Sequence, residues 1–286
     1  MIIVTGANGQ LGRAVVDQLL KRVPAETIGV SVRDVTKAQA LIERGVRVRR
    51  GDYDDAASLA DAFEGASQVL IVSSNSSGEA TIRQHQTAID AAKMAGAGRI
   101  LYTSQMGSSH TSHFAPMVDH AATEEMLQDS GIPYTSLRNG FYTASGIMLL
   151  GQAIQTGILA APADGPVAWT SHADLAELTA TLLTEQPIDG ETPVLTSSEM
   201  LDLEDIAAVA SELSGRPIRR VVISDEEYRD QLISYGLPEE RADLLLGIFL
   251  ASREGEFART DSTLAKLIGR TPMTFRDVLK ASLSLG

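Results

Sequence analysis

The feature that most restricts what this chain can fold into is its opening, Met1 to Arg13, which reads MIIVTGANGQLGR. Ile2, Ile3 and Val4 form an apolar, β-branched run, too short for a buried helix and suited to a strand covered on both faces. Thr5 ends that run, and Gly6, Gly9 and Gly12 follow at three-residue intervals. From there Leu11, Ala14, Val15 and Leu19 keep helical spacing, so a helix begins near Gln10. Gly6 can take a tight turn, Gly9 lets an anion approach the main chain, and Gly12 lets the helix lie close on the sheet. Free N–H groups and the helix dipole then face that anion. Spaced glycines alone carry little weight, because any tight loop can contain them. Between a strand and a helix they predict a dinucleotide site over Gly6, Ala7, Asn8, Gly9, Gln10 and Leu11.

The alternation continues beyond this unit. Strands are expected over 27–32, 46–49, 69–72, 99–103 and 134–137, with helices over 37–43, 56–63, 79–95 and 117–129 between them. Strands and helices in that rhythm imply an α/β fold, a doubly wound parallel sheet of Rossmann type. Past Arg138 the rhythm loosens. The pattern gives a helix after Tyr142, short strands near 158–160 and 167–169, and a helix over 171–183 capped by Ser171. A strand over 192–196, a helix over 203–213 and a strand over 218–223 follow. From Asp225 the chain reads as helical, broken at Gly236-Leu237-Pro238 and near Gly269. We therefore expect a nucleotide-binding domain over 1–142. The stretch 143–286 becomes a smaller C-terminal α/β lobe walling a cleft, with some segments returning to the first domain.

Charge and composition narrow the partners. A formal net charge of −13 without a Lys/Arg cluster argues against nucleic acid and against an anionic membrane surface. The absence of cysteine removes disulfides, thiolate catalysis and cysteine metal sites, and no metal is expected. No apolar run approaches the roughly 18 residues of a membrane span, and the chain opens directly on a strand, so a cytoplasmic protein is expected. A small molecule is the natural partner, and a homodimer is one assembly open to the chain.

Candidate ligand positions lie at the carboxyl ends of the expected strands, where open parallel sheets bind. Folds specific for NAD place a carboxylate about 20 residues past the glycines. Here Arg33 stands at the end of the second strand, and its guanidinium can grip a 2′-phosphate, which points to NADP, with NADPH preferred over NADH. Asp34 is the rival, and Arg13 and Lys37 are possible aids. Asp52, past the third strand, can accept from the adenine amino group or can cap the next helix. The small polar residues Ser73, Ser74 and Asn75 follow the fourth strand, where a ribose and diphosphate need close approach.

TGANGQLGR, GDYDD, LYTS, SGIPYTSLRNGFY and SHADLA together resemble the NmrA-like branch of the atypical short-chain dehydrogenase/reductases. Within it the chain is similar to bacterial NAD(P)H:quinone oxidoreductases and triphenylmethane dye reductases, through nearly its whole length. The resemblance implies that Gly6 to Leu11 wrap the diphosphate and Arg33 holds the 2′-phosphate. Ser73 to Asn75 would line the ribose side, and Leu137 to Tyr142, with Asn139, Gly140, Phe141 and Tyr142 as candidates, would pass the nicotinamide; Thr103 is a further cofactor-binding candidate. His172 stands where relatives often carry Arg.

One departure bears on mechanism. Related dehydrogenases use a Tyr followed four residues later by Lys to protonate a carbonyl, and Pro116 and His120 occupy those places here. His120 is a candidate acid with a pKa near working pH, and Ser104 a candidate hydrogen-bond partner of the acceptor oxygen. A quinone or similar conjugated acceptor needs little more than stacking over the nicotinamide. Phe141 and Tyr142 suit one wall, with Gln105, Met106 and Phe114 across the cleft. The expected function is therefore an NADPH-dependent reductase of such acceptors. The alternatives are a redox sensor that binds NADP(H) without turnover and a reductase of a ketone, imine or dye.

Overall fold

The computed structural model describes residues 1–185 and 187–284. In chain order the strands are β1 (Ile2–Thr5), β2 (Ile28–Val32), β3 (Arg47–Arg50), β4 (Gln68–Ile71), β5 (Arg99–Gln105), β6 (Tyr134–Asn139), β7 (Phe141–Tyr142), β8 (Ile158–Ala161), β9 (Trp169–Thr170), β10 (Gly190–Glu191) and β11 (Arg219–Val222). The helices of the first half are α1 (Gln10–Leu19), α2 (Gln39–Glu43), α3 (Ala56–Ala62), α4 (Glu79–Met94) and α5 (Ala115–Asp129). Those of the second half are α6 (Thr143–Leu150), α7 (Ala153–Thr156), α8 (His172–Thr184), α9 (Leu203–Ser214), α10 (Asp225–Ser234), α11 (Glu239–Arg253), α12 (Thr263–Ile268) and α13 (Phe275–Leu283).

Seven strands pair in parallel in the order β10-β6-β5-β4-β1-β2-β3. The chain reverses its direction of travel across the sheet at the β1–β4 pair, which opens a crevice beyond their carboxyl ends. Alternation along the strands sorts the side chains into two layers. Val4, Leu70 and Leu101 pack with Leu11, Val15, Val16 and Leu19 of α1 and with Leu175, Leu178 and Leu182 of α8. Ile3, Val69, Ile71, Ile100 and Tyr102 pack on the other face with Leu59, Phe63, Ile89 and Leu127. A third cluster, centred on Phe141, Trp169, Phe249, Phe257 and Phe275, forms the distal wall.

Residues after 142 do not form one separate block. α8 covers α1, and β10 extends the main sheet through its pairing with β6, while β7 pairs β9 and β8 pairs β11. The strand expected over 192–196 is corrected: the ladder is Gly190–Glu191, and Leu195 meets the sheet only through a bridge to Asn139. β5 runs on to Gln105 because β6 pairs with it that far, Gln105 opposite Asn139. Among the described residues no helix is long and apolar enough to cross a membrane, and no group of three or more His, Asp or Glu is placed to hold a metal ion.

Candidate functional site

One cleft of about 1060 Å³ runs along the carboxyl ends of β1, β2, β4, β5 and β6. Its floor is the turn from β1 into α1. Gly6 sits at φ +62°, and its carbonyl accepts from the Gly9 N–H at 2.9 Å. An added Cβ on Gly12 would lie 2.5 Å from that same carbonyl oxygen, so only glycine lets the helix start here. No side chain caps α1, leaving its first N–H groups for an anion. Gly6, Asn8, Gly9, Gln10 and Leu11 line the cleft. Asn8 is tied by its side-chain nitrogen to the Asp34 carbonyl at 2.8 Å, and its buried Oδ1 has no partner. Ala7 departs from expectation: it is fully buried in the core beneath the turn, so its side chain supports the loop from below.

At one end of the cleft Arg33 is exposed and has no ion-pair partner among the described residues. The rival carboxylate is already engaged. Asp34 caps a single 3₁₀ turn over Val35–Ala38, accepting from the Thr36 hydroxyl and the Thr36 N–H, and with Lys37 at 3.8 Å these hold its carboxyl below its usual range. Asp52 lines the cleft and accepts from the Asp54 N–H at 3.2 Å. The cap of α3 is Asp55, accepting from Ser58 N–H at 3.1 Å, so the capping alternative for Asp52 is corrected.

The middle of the cleft is a polar loop held from behind. Ser73, Ser74, Asn75 and Thr103 line it, and the Ser73 N–H donates to Thr103 Oγ1 at 2.9 Å. The Ser74 N–H donates to His85 Nε2 at 3.0 Å, which makes Nε2 an acceptor and puts the imidazole proton on Nδ1. Nδ1 lies 2.8 Å from Thr123 Oγ1, and that hydroxyl donates to the Asp119 carbonyl at 2.7 Å. The Asp119 carboxylate in turn accepts from the Gly78 N–H at 2.9 Å. α5 therefore fastens both ends of the Ser73–Gly78 loop. Burial, with a smaller push from His120, lowers His85 to about 3.

The far end is aromatic. Gly140, Phe141 and Tyr142 line it, and Phe141 packs against Phe114, Phe257 and Trp169 with ring centroids 5.9, 4.9 and 5.5 Å away. Tyr142 lies face to face with His172 at 4.3 Å, tilted by 34°. Asn139 is buried behind them, off the cleft, close enough to Tyr142 to pull its hydroxyl's pKa down against burial. Gln105, Pro116, Met117, His120, Ala144, Ser145 and Met148 complete the lining.

The two candidate catalytic residues lie in different surroundings, and only Ser104 is placed off the cleft. Ser104 is buried off the cleft, and its hydroxyl donates to Glu124 Oε1 at 2.8 Å. Glu124 also accepts from Ser136 and Ser108 and takes a two-point contact from Arg138 at 3.1 and 2.8 Å. Burial pushes its carboxyl upward, but Arg138 and the serine bonds outweigh that and leave it below the ordinary range. His120 does line the cleft, yet burial lowers it to about 4 against a smaller opposing pull from Glu124. It is neutral near pH 7 and is not an acid poised there. Tyr102, whose hydroxyl lies 2.7 Å from His120 Nδ1, escaped sequence reasoning. The alternation of β5 gives its face, but only the fold shows that α5 lies over it.

The residues fit a dinucleotide with a 2′-phosphate. The turn is a cradle that a Cβ at Gly12 would fill, and among the described residues Asn8 Oδ1 beside it has no hydrogen-bond partner and Arg33 at the end of β2 no ion-pair partner. Gly6 to Leu11 would hold the diphosphate, Arg33 the phosphate, and Ser73 to Asn75 the riboses.

A profile of the NmrA-like family matches residues 1–275. Quinone oxidoreductase 2 of Escherichia coli K12 is 37% identical over 278 residues, spanning 97% of this chain and 96% of that protein. The crystal structure of an NADPH-dependent quinone oxidoreductase from Escherichia coli complexed with NADPH superposes with a TM-score of 0.92 at 36% identity, covering 99% of this chain and all (100%) of that one. Triphenylmethane reductase from Citrobacter sp., complexed with NADP(H), gives 0.91 at 35% identity over 99% and 100% of the two chains.

Proposed function

The chain belongs to the NmrA-like family, and from that membership and the geometry of its cleft we propose that it is an NADPH-dependent reductase of a quinone or similar conjugated acceptor. One observation carries the reading: the cleft runs unbroken from the glycine cradle and Arg33 to a chamber walled by Phe114, Phe141 and Tyr142. NADPH, when bound, supplies the hydride. The chain's own residues bind and orient. The open start of α1 and Gly6 to Leu11 take the diphosphate, while Arg33, unopposed by the capped Asp34, takes the 2′-phosphate. Phe141 and Tyr142 line the end where an acceptor would lie, Phe141 backed by Phe257 and Trp169 and Tyr142 by His172, and so offer it an apolar wall.

Among the described residues the aromatic end of the cleft is lined by no Lys or Arg, those of the cleft (Arg33 and Lys37) lying at the other end, and Pro116 and His120 hold the places of the tyrosine–lysine pair. An electron-poor conjugated acceptor suits such a chamber, because its reduction does not require a strong acid. The test is NADPH oxidation, followed by its near-ultraviolet absorbance, with small quinones, cationic dyes and ketones. Turnover with a quinone is expected. Tight NADPH binding without turnover on any acceptor would sink the reductase reading in favour of a sensor.

A further inference from the structure

Resting on that reading, the contact between β5 and α5 defines how an acceptor is held. Tyr102 is completely buried, and its hydroxyl makes one hydrogen bond among the described residues, to His120 Nδ1 at 2.7 Å. Thr123 and Ser73 lie near the phenol and pull its pKa down against burial, but neither hydroxyl makes a hydrogen bond of normal geometry with it among the described residues, and Thr123 accepts from His85 and donates to the Asp119 carbonyl. A buried phenol keeps its proton in a hydrogen bond. Tyr102 therefore donates to Nδ1, and the imidazole proton sits on Nε2. The ring is neutral, with burial lowering it to about 4, so Nε2 is a fixed N–H donor.

Gln105 is oriented by similar logic. Its Oε1 accepts from the Gly107 N–H at 2.7 Å, which forbids an amide flip because a nitrogen in that place could not accept. Gly107 is wedged beneath Phe257, where an added Cβ would come within 2.8 Å of the ring. The amide nitrogen of Gln105 is left without a hydrogen-bond partner among the described residues, and it is not one of the buried orphan atoms. Both His120 and Gln105 line the aromatic end of the cleft.

We propose that the His120 Nε2–H, its tautomer set by Tyr102, and the Gln105 amide N–H bind the acceptor's oxygens, favouring acceptors that gain negative charge on oxygen over those reduced at a cationic carbon. A quinone that takes a hydride from NADPH becomes a hydroquinone monoanion, and its oxygen then takes a proton from water, so the imidazole gives up nothing. A cationic triarylmethane dye takes hydride at carbon and becomes neutral, leaving the two donors nothing to stabilise. His120 and Gln105 are catalytic residues, and Tyr102 is a positioning residue.

Nitrogen NMR of histidine-labelled protein, with His120 assigned through His120→Gln, reads the tautomer directly. Nδ1 should be bare and Nε2 protonated, and Tyr102→Phe should give a mixture. A proton on Nδ1 in the wild type overturns the proposal. Calorimetry of para-nitrophenolate, a stand-in for the hydroquinone anion, on NADP-saturated protein gives a second readout. Tyr102→Phe and Gln105→Leu should each weaken it about tenfold, with NADP affinity measured alongside. Unchanged phenolate binding in both variants also overturns the proposal. In kinetics the ratio of quinone to dye turnover should fall about tenfold in Tyr102→Phe. If the wild type reduces no acceptor, the reductase reading fails by itself, and the tautomer and phenolate measurements still decide for or against the two donors.

Discussion

Gly12→Ala tests the cradle most directly. The new Cβ would stand 2.5 Å from the Gly6 carbonyl oxygen, 2.8 Å from its carbonyl carbon and 3.1 Å from Ala7 Cα. All three are backbone atoms and cannot rotate away. Ordinary contact needs about 3.5 Å, so the turn or the first turn of α1 must move by roughly 1 Å. Gly6 resists that shift, because its N–H donates to the Ser31 carbonyl and its own carbonyl accepts from Gly9. Overpacking of this kind costs about 1–3 kcal/mol, which in a chain of this size lowers Tm by roughly 2–10 °C. The displaced N–H groups lose charge-assisted bonds worth about 1.5–3 kcal/mol each, so the Kd for NADPH should rise tenfold or more. Gly65→Ala is the control. Gly65, unlike Gly12, has a positive φ, +72°, and it has open space around its Cβ position, so it should lose about 1–2 kcal/mol from the left-handed backbone alone. Its NADPH affinity should stay that of the wild type. Thermal melts with NADPH fluorescence titrations measure both quantities. A Gly12→Ala protein that binds NADPH within twofold of wild type would refute the idea that this turn cradles the diphosphate.

Arg33→Ala should weaken NADPH roughly tenfold to a hundredfold and NADH about twofold or less, and calorimetry showing equal losses would remove the basis for the NADP preference. Glu124→Ala strands Arg138 and three serine hydroxyls, so denaturant unfolding should show a loss of about 3–5 kcal/mol; a loss below about 1 kcal/mol would mean the cluster is not a structural joint. Burial pushes the His85 imidazole from its ordinary value near 6.5 down to about 3 in the folded chain. Its contribution is intact above 6.5 and drains away as pH falls toward 3, because the unfolded chain takes up a proton that the native ring does not. In His85→Gln the slope of stability against pH in that window should flatten by about 1.4 kcal/mol per unit, and an unaltered slope would argue that the ring is protonated in the folded state.

The parallel sheet and the cradle were legible because both rest on local signals. Ile2 to Val4 announce a buried strand, and the interval from Gly6 to Gly12 matches the backbone contacts that exclude a Cβ. The position of Arg33 in the cleft was legible for the same reason, since it follows directly on β2. The aromatic end of the cleft was harder to read. Ser104 carries the right chemistry at the right strand end, but its hydroxyl points to Glu124, twenty residues later in the chain. Nothing in the sequence marks that pairing. His120 was found by alignment with a lost motif, yet its neutrality comes from burial and its tautomer from Tyr102, and both require knowing that α5 lies on β5. Leu195 illustrates the converse error: an apolar stretch flanked by threonines reads as a strand, while the chain there makes only one bridge to the sheet.

The return of α8 and β10 to the first half of the chain carries a corollary for how such proteins diversify. A fragment ending at residue 142 would bare the flank of α1 that meets Leu175, Leu178 and Leu182, and would strip the outer strand from β6. The nucleotide half thus cannot be excised and grafted onto another lobe like a bead moved along a string. Single side chains that line the cleft, such as Phe114 or Met148, can be exchanged in place while both halves go on folding as one.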